Sequence, residues 1–432
     1  MKILWHSAAP WTSSGYGRCT AEIATRIHDT DEHEVEILCI NSVQRGNLVW
    51  HGEDISYDLQ NPMTVYPGKG PLGMNYVEKA MKKSNADIYF THFDTWLEAP
   101  RKKIPKLKFP YVSYIIVDHV PVPKNVLTQI ENARAVISMS EFAQDGLAKN
   151  DVVSLQIPHG VNTDKFYPID EDSDEYPSAL ELTNNDGEVR RIDPSDTFVI
   201  GMVAANHGDR KNIPNHMEAF KMFLEQDNID DDDVVMYIHT EQKKKEGYNF
   251  KQVQEELGIP EKCMLWPSTE QYNAVGDDYL NMWYNVFDIM INCSMGESWG
   301  LTITEAQSAG TPCIVSNITS MPEQLGVDVT NPDNSIVWGA EDNENIGFAP
   351  HGLVVEPSTC IWREKQSARQ FIVSPENILD AINYYYNRPE ERKVDGNNAA
   401  EFVRNNYEWE SHVVPKFKEF FDSLEEVDGM GK

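Results

Sequence analysis

No stretch of the 432 residues approaches the ~20 uninterrupted apolar residues that a membrane-spanning helix needs, so a helical span is excluded. The first residues, Met1 to Trp11, offer one lysine and a three-residue apolar run, Ile3-Leu4-Trp5. That is too little for a signal peptide and reads as a first strand, so a cytoplasmic protein is expected. Cysteine is scarce: Cys19, Cys39, Cys263, Cys293, Cys313 and Cys360 are scattered without a C-x-x-C pair. In a chain this long without a leader they read as reduced and mostly buried. Basic residues are outnumbered, with 37 Lys plus Arg against 69 Asp plus Glu and a net charge of −32. Such an acidic protein repels nucleic acid, whose binding depends on neutralising phosphates with cations. Also missing is a G-x-G-x-x-G after the first strand, because Gly15 and Gly17 are followed by Thr20. This speaks against an NAD-dependent oxidoreductase.

What is present is a chain with 41% hydrophobic residues, enough for packed cores and too long for one ordinary core. Short apolar runs alternate with helical patterns. The runs include Val35–Ile40, Tyr111–Val117, Phe198–Val203, Val234–Ile238 and Asp288–Cys293. Most are nearly continuous, as strands buried on both faces should be. Between them, spacings such as Met217, Phe220 and Leu224 suit helices. The expected fold class is α/β with parallel sheets flanked by helices. One acidic, turn-rich stretch from Asp170 to Asp196 interrupts the pattern and reads as a linker with a surface insertion. The expected division is a first domain over 1–169, this linker over 170–196, and a second domain over 197–408. A terminal helix near 409–428, with Val413, Phe417, Phe420, Phe421 and Leu424 on one stripe, must pack on something.

Four segments carry candidate chemistry. Met295 to Asn317 reads MGESWGLTITEAQSAGTPCIVSN: a strand end, a glycine-containing loop, a small-residue helix and a Gly310-Thr311-Pro312 stop. Glu297 and Glu305 bracket the loop and the helix, and on one helix they would lie ~12 Å apart. Backbone N–H groups near Gly300, Leu301 and Thr302 would suit a phosphate. Ala204 to Pro214 (AANHGDRKNIP) follows the strand at Phe198–Val203, which puts Arg210 and Lys211 at its carboxyl end. Open parallel sheets bind ligands there. In the loop PWTSSGYGR, Gly15 and Gly17 allow close backbone approach to a ligand. Finally, Asp118-His119 follows another strand end, with His119 either a ligand-facing residue or a packing histidine and Asp118 its orienter or a loop anchor.

The first of these segments resembles the E-x7-E signature of retaining GT-B glycosyltransferases of family 4, the glycosyl transferases group 1. The stretch PHGVNTDKFYP from Pro158 resembles that family's P-x-G-V-D-x-x-x-F-x-P pattern, departing at Asn162. Glu408-Trp409-Glu410 resembles the start of the family's last helix. The resemblance implies two Rossmann-like domains facing across a cleft, with the last helix returning to the first. It implies Glu305 on the nucleotide ribose, Glu297 beside the donor sugar, and Lys211 and Arg210 on the diphosphate. The match at Lys211 is good; Arg210 stands where many relatives have no arginine, which they carry nearer the strand end at Ala205-Asn206. The glycine loop and His119 would lie near the donor phosphates and sugar. The function implied is retaining transfer from a nucleotide sugar, such as a UDP- or GDP-sugar, to an acceptor hydroxyl in glycan or glycolipid synthesis, without metal or other cofactor. A nucleotide-sugar 2-epimerase and a non-catalytic sugar-binding relative share the fold and stay open.

Two features are set aside as decoys or side issues. Asp230 to Asp233 contains a D-x-D, yet it precedes a strand and belongs at the wrong edge of a sheet. Arg101, Lys102, Lys103, Lys106 and Lys108 form a basic cluster in an acidic chain. It reads as a solvated linker, with contact to the inner face of a membrane or to an anionic acceptor as the alternative.

Overall fold

The computed structural model describes residues 1–30, 32–41, 48–53, 55, 57–94, 97–183, 189–274, 276–329, 336–340 and 343–430. By internal contacts the chain divides into two compact units. One is Met1–Gly160 with Arg363–Ala368 and Tyr407–Lys432; the other is Val161–Trp362 with Arg369–Asn406.

In the first unit eight strands form one sheet: β1 (Lys2–Ser7), β2 (Glu34–Cys39), β3 (Leu48–Trp50), β4 (Met63–Tyr66), β5 (Ile88–Thr91), β6 (Tyr111–Ile115), β7 (Ala135–Ser138) and β8 (Leu155–Gln156). Their order is β3-β4-β2-β1-β5-β6-β7-β8. All neighbours run parallel except β3 against β4. The central strands are apolar on both faces and buried on both, as a sheet covered on each side by helices requires. The terminal helix Val414–Met430 brings its apolar stripe to this sheet. Phe417 meets Trp5, Phe90 and Tyr114 edge-on, with ring centroids 6.4, 6.4 and 5.3 Å away.

The first strands of the second unit form a two-stranded antiparallel hairpin, β9 (Leu180–Thr183) and β10 (Val189–Ile192), within the stretch that the sequence reads as a linker. The hairpin buries Leu180 and Ile192; residues 184–188 of that stretch lie outside the described residues. A second eight-stranded sheet follows: β11 (Phe198–Val203), β12 (Val234–His239), β13 (Met264–Leu265), β14 (Ile289–Asn292), β15 (Cys313–Ser316), β16 (Val337–Ala340), β17 (Asn343–Ala349) and β18 (Gly352–Val355). The order is β13-β12-β11-β14-β15-β18-β17-β16, parallel up to β18 and antiparallel beyond it. The five apolar runs picked out from the sequence are β2, β6, β11, β12 and β14.

The cysteines are all thiols rather than disulfides; five are buried and Cys360 is exposed. Among the described residues no helix is long and apolar enough to cross a membrane.

Candidate functional site

The second unit gathers its chemistry at the carboxyl ends of β11 and β14. After β11 the chain turns through a loop and enters the helix Ile213–Leu224 from Asn212, whose backbone is left-handed (φ 54°). The Asn212 side chain holds that strained turn by donating to Cys293 O (3.3 Å) and Val373 O (3.1 Å). His216, one turn into the helix, accepts the Cys293 N–H on Nε2 at 2.9 Å. Its Nδ1 must therefore carry the proton, which it gives to Asn212 O at 2.8 Å. Burial pushes this imidazole down to about 4, so it stays neutral and keeps that tautomer. The histidine thus fastens the loop after β11 to the end of β14.

That fastening brings Arg210 and Lys211 onto Glu297. Lys211 Nζ lies 2.5 Å from Glu297 Oε1, and Arg210 Nη1 lies 2.7 Å from Oε2 and 2.7 Å from Gly296 O. Thr319 and Ser320 hold the Glu297 backbone, the first accepting its N–H at 3.0 Å and the second donating to its carbonyl at 2.9 Å. The carboxylate side chain is only 7% exposed. Burial alone would push its pKa up, but the charges of Arg210 and Lys211 outweigh burial and bring it down to about 2. Here two cations share one carboxylate.

The helix Leu301–Ser308 starts directly beyond this loop, with Gly300 as its N-cap and no side-chain cap. Gln324 donates to Gly300 O at 3.1 Å and fixes the entry. Small residues let this helix lie buried almost all round, from Ile303 to Ser308. Gly310 in the left-handed region (φ 85°) then ends it. Glu305 is buried on this helix and accepts from Tyr284 Oη at 2.9 Å. Leu301 and Thr302 are half-buried at the helix start.

In the first unit, Ser14 caps the helix Gly15–Cys19 by accepting from Gly17 N at 3.1 Å. Gly17 has a structural reason to be glycine: a Cβ there would lie 2.2 Å from Thr12 Oγ1, 2.3 Å from Thr12 O and 2.9 Å from Ala9 O. Gly17→Ala is therefore expected to destabilise the protein by about 1–3 kcal/mol, read as a lowered Tm. Gly15 is exposed ahead of it. His119 is buried, and its Nδ1 pairs with Asp118 Oδ1. Asp118 thus orients the ring, one of the two roles the sequence leaves open.

The D-x-D segment precedes β12, at the amino edge of the sheet, and Lys262 pairs with Asp231 (2.7 Å) and Asp232. In the basic cluster, Arg101 donates to Asn125 and Lys103 to Asn75, and Lys102 pairs with Glu98. Lys106 and Lys108 are exposed. Sequence reasoning missed Asn212, His216, Tyr284 and Thr319. Only His216 left a signal there, as a polar residue on an otherwise apolar helix face.

Residues 189–332 match the family model described as glycosyl transferases group 1. The matched segment, about a third of the chain, contains Arg210, Lys211, Glu297, Gly300 and Glu305. No curated protein matches the sequence. Solved structures match along the whole length. A sucrose-phosphate synthase from Thermosynechococcus elongatus superposes with a TM-score of 0.69 at 13% identity, covering 99% of this chain and 100% of its own. HepE from Anabaena, in complex with UDP-glucose, gives 0.66 at 13% identity, covering 98% and 100%. WaaG, a glycosyltransferase involved in lipopolysaccharide biosynthesis, gives 0.61 at 12% identity, covering 97% and 99%. The fold is GT-B, α/β with two Rossmann-like domains. With the family match, the GT-B fold supports an enzyme of the glycosyltransferase class.

Proposed function

We propose that the protein is a retaining glycosyltransferase of family 4 that moves a sugar from a nucleoside diphosphate sugar to an acceptor hydroxyl. The observation carrying this reading is the convergence of Arg210 and Lys211 on Glu297 at the carboxyl ends of β11 and β14, next to an uncapped helix start. A diphosphate there would take charge-assisted bonds from Lys211 and Arg210 and from the backbone at Gly300, Leu301 and Thr302. Neighbours captured with UDP-glucose and with UDP support a nucleotide sugar as the donor. Glu305 would hold the ribose and Glu297 would face the sugar. In the first unit, Gly15, Gly17 and His119 are proposed as substrate contacts, and Arg101, Lys102, Lys103, Lys106 and Lys108 as contacts for an anionic acceptor or membrane surface.

In the proposed reaction the bond from the anomeric carbon to the leaving phosphate oxygen breaks. The acceptor oxygen forms its bond on the same face, and its proton passes to the departing phosphate. No separate base is then needed. Lys211 and Arg210 stabilise the charge that grows on the diphosphate, so we propose that no metal takes part in that step. The deciding experiment incubates the protein with UDP-, GDP- and ADP-sugars and an acceptor panel and reads the product anomer by NMR. An inverted linkage, or donor consumed to a 2-epimer without acceptor, overturns the reading.

Glu305→Ala is expected to weaken nucleoside diphosphate binding by roughly 10- to 150-fold, the loss of one hydrogen bond to a charged group. Calorimetric titration with UDP and GDP measures this, and unchanged affinity removes Glu305 from the ribose.

A further inference from the structure

Three side chains from distant parts of the first unit meet in its interior. Cys19 ends the helix Gly15–Cys19, His92 follows β5, and His159 lies shortly after β8. Cys19 and His92 are completely buried, and His159 is 7% exposed. One ligand atom from each, the Cys19 Sγ and a ring nitrogen of each histidine, lies within 4.8 Å of the other two. The two imidazoles stand 5.4 Å apart at 81°. Tyr114 packs on both, at 5.0 and 5.4 Å, and Trp409 packs on His159 at 6.4 Å.

Both ring nitrogens of His159 and Nε2 of His92 have no hydrogen-bond partner among the described residues, and His92 Nδ1 reaches Ser7 Oγ at 3.5 Å. Buried nitrogens are almost always partnered, and here three such atoms converge beside one thiol, which offers a place for a ligand. One thiolate and two imidazoles favour a borderline-soft ion over Ca²⁺ or Mg²⁺, which prefer oxygen. The size fits as well. An ion central to atoms no more than 4.8 Å apart sits within about 2.8 Å of each. Side-chain shifts of roughly 0.5–0.8 Å then reach the ~2.0–2.3 Å bonds of zinc.

We propose that Cys19, His92 and His159 bind one Zn²⁺ ion, with the Cys19 thiol proton released to solvent on binding. The ion ties the helix Gly15–Cys19 to the ends of β5 and β8. Its place is structural.

The test uses full-length protein, stripped of metal and kept reduced, titrated with Co²⁺ and then Zn²⁺. One equivalent of Co²⁺ is expected to produce a thiolate-to-cobalt charge-transfer band, Zn²⁺ to abolish it, and Zn²⁺ alone to raise Tm. Cys19→Ser should remove the band, whereas Cys360→Ser, at the exposed thiol, should leave it intact. His159→Gln should weaken Co²⁺ binding at least roughly tenfold. The proposal is overturned if the unmodified protein gives no band, or if the band survives Cys19→Ser and disappears with Cys360→Ser. Should circular dichroism show Cys19→Ser unfolded, His159→Gln decides alone, and unchanged Co²⁺ affinity rejects the site.

Discussion

Replacing Lys211 by alanine is expected to lower kcat by about 10²- to 10³-fold, the usual cost of deleting one preorganised group that stabilises charge in a transition state. Lys211 is the less exposed of the two cations on Glu297, with its side chain 15% accessible against 35% for Arg210. It therefore meets a phosphate with less competition from water, and Arg210→Ala should cost less. The substitution also leaves Glu297 with Arg210 as its remaining charged partner, so some stability will fall with activity. A Lys211→Met variant keeps the packing of the stem and removes only the charge. If Met and Ala lose turnover alike while Met keeps the wild-type Tm, the loss belongs to the charge. Steady-state kinetics with saturating donor gives the answer, and full turnover in both variants removes Lys211 from the reaction.

A second large effect is expected in acid. The Glu297 carboxyl sits at about 2 in the folded protein against 4.5 for its ordinary value, because Arg210 and Lys211 outweigh the burial that opposes them. A depressed folded pKa contributes stability that is complete above 4.5 and is lost as pH falls toward 2. The shift corresponds to about 3 kcal/mol, of which roughly 1 kcal/mol is already gone at pH 4. Glu297→Gln has no such proton to take up. Urea unfolding at pH 6 and pH 4 should therefore show the gap between wild type and Glu297→Gln narrowing by about 1 kcal/mol. A gap that does not change with pH would mean that the carboxylate is not held by the two cations. At pH 6 the variant should be the weaker protein, because Arg210 and Lys211 then repel each other across a neutral amide.

Much of the fold is legible in the sequence. Strands β2, β6, β11, β12 and β14 announce themselves because a strand buried on both faces must be apolar throughout. The edges were not legible. Strand β13 has two residues, and Asp170–Asp196 hides the β9–β10 hairpin among acidic turns, because edge and hairpin strands need no continuous apolar run. The spacing of Glu297 and Glu305 named the important segment, but it said nothing of what either carboxylate touches.

The sequence by itself determined the alternation of buried strands and helices, the acidic balance of charge, and the order in which Lys211, Glu297 and Glu305 occur. Those properties depend on residue type and local spacing, which one dimension records. Only the tertiary structure decided that Lys211 and Arg210 share Glu297, that Tyr284 faces Glu305, and that His216 ties two strand ends together. It also decided that Cys19, His92 and His159 share one interior point. Such contacts join residues from 21 to 140 positions apart along the chain. Hydrogen bonds and charge pairs act over a few ångströms, so the folded path of the backbone sets them.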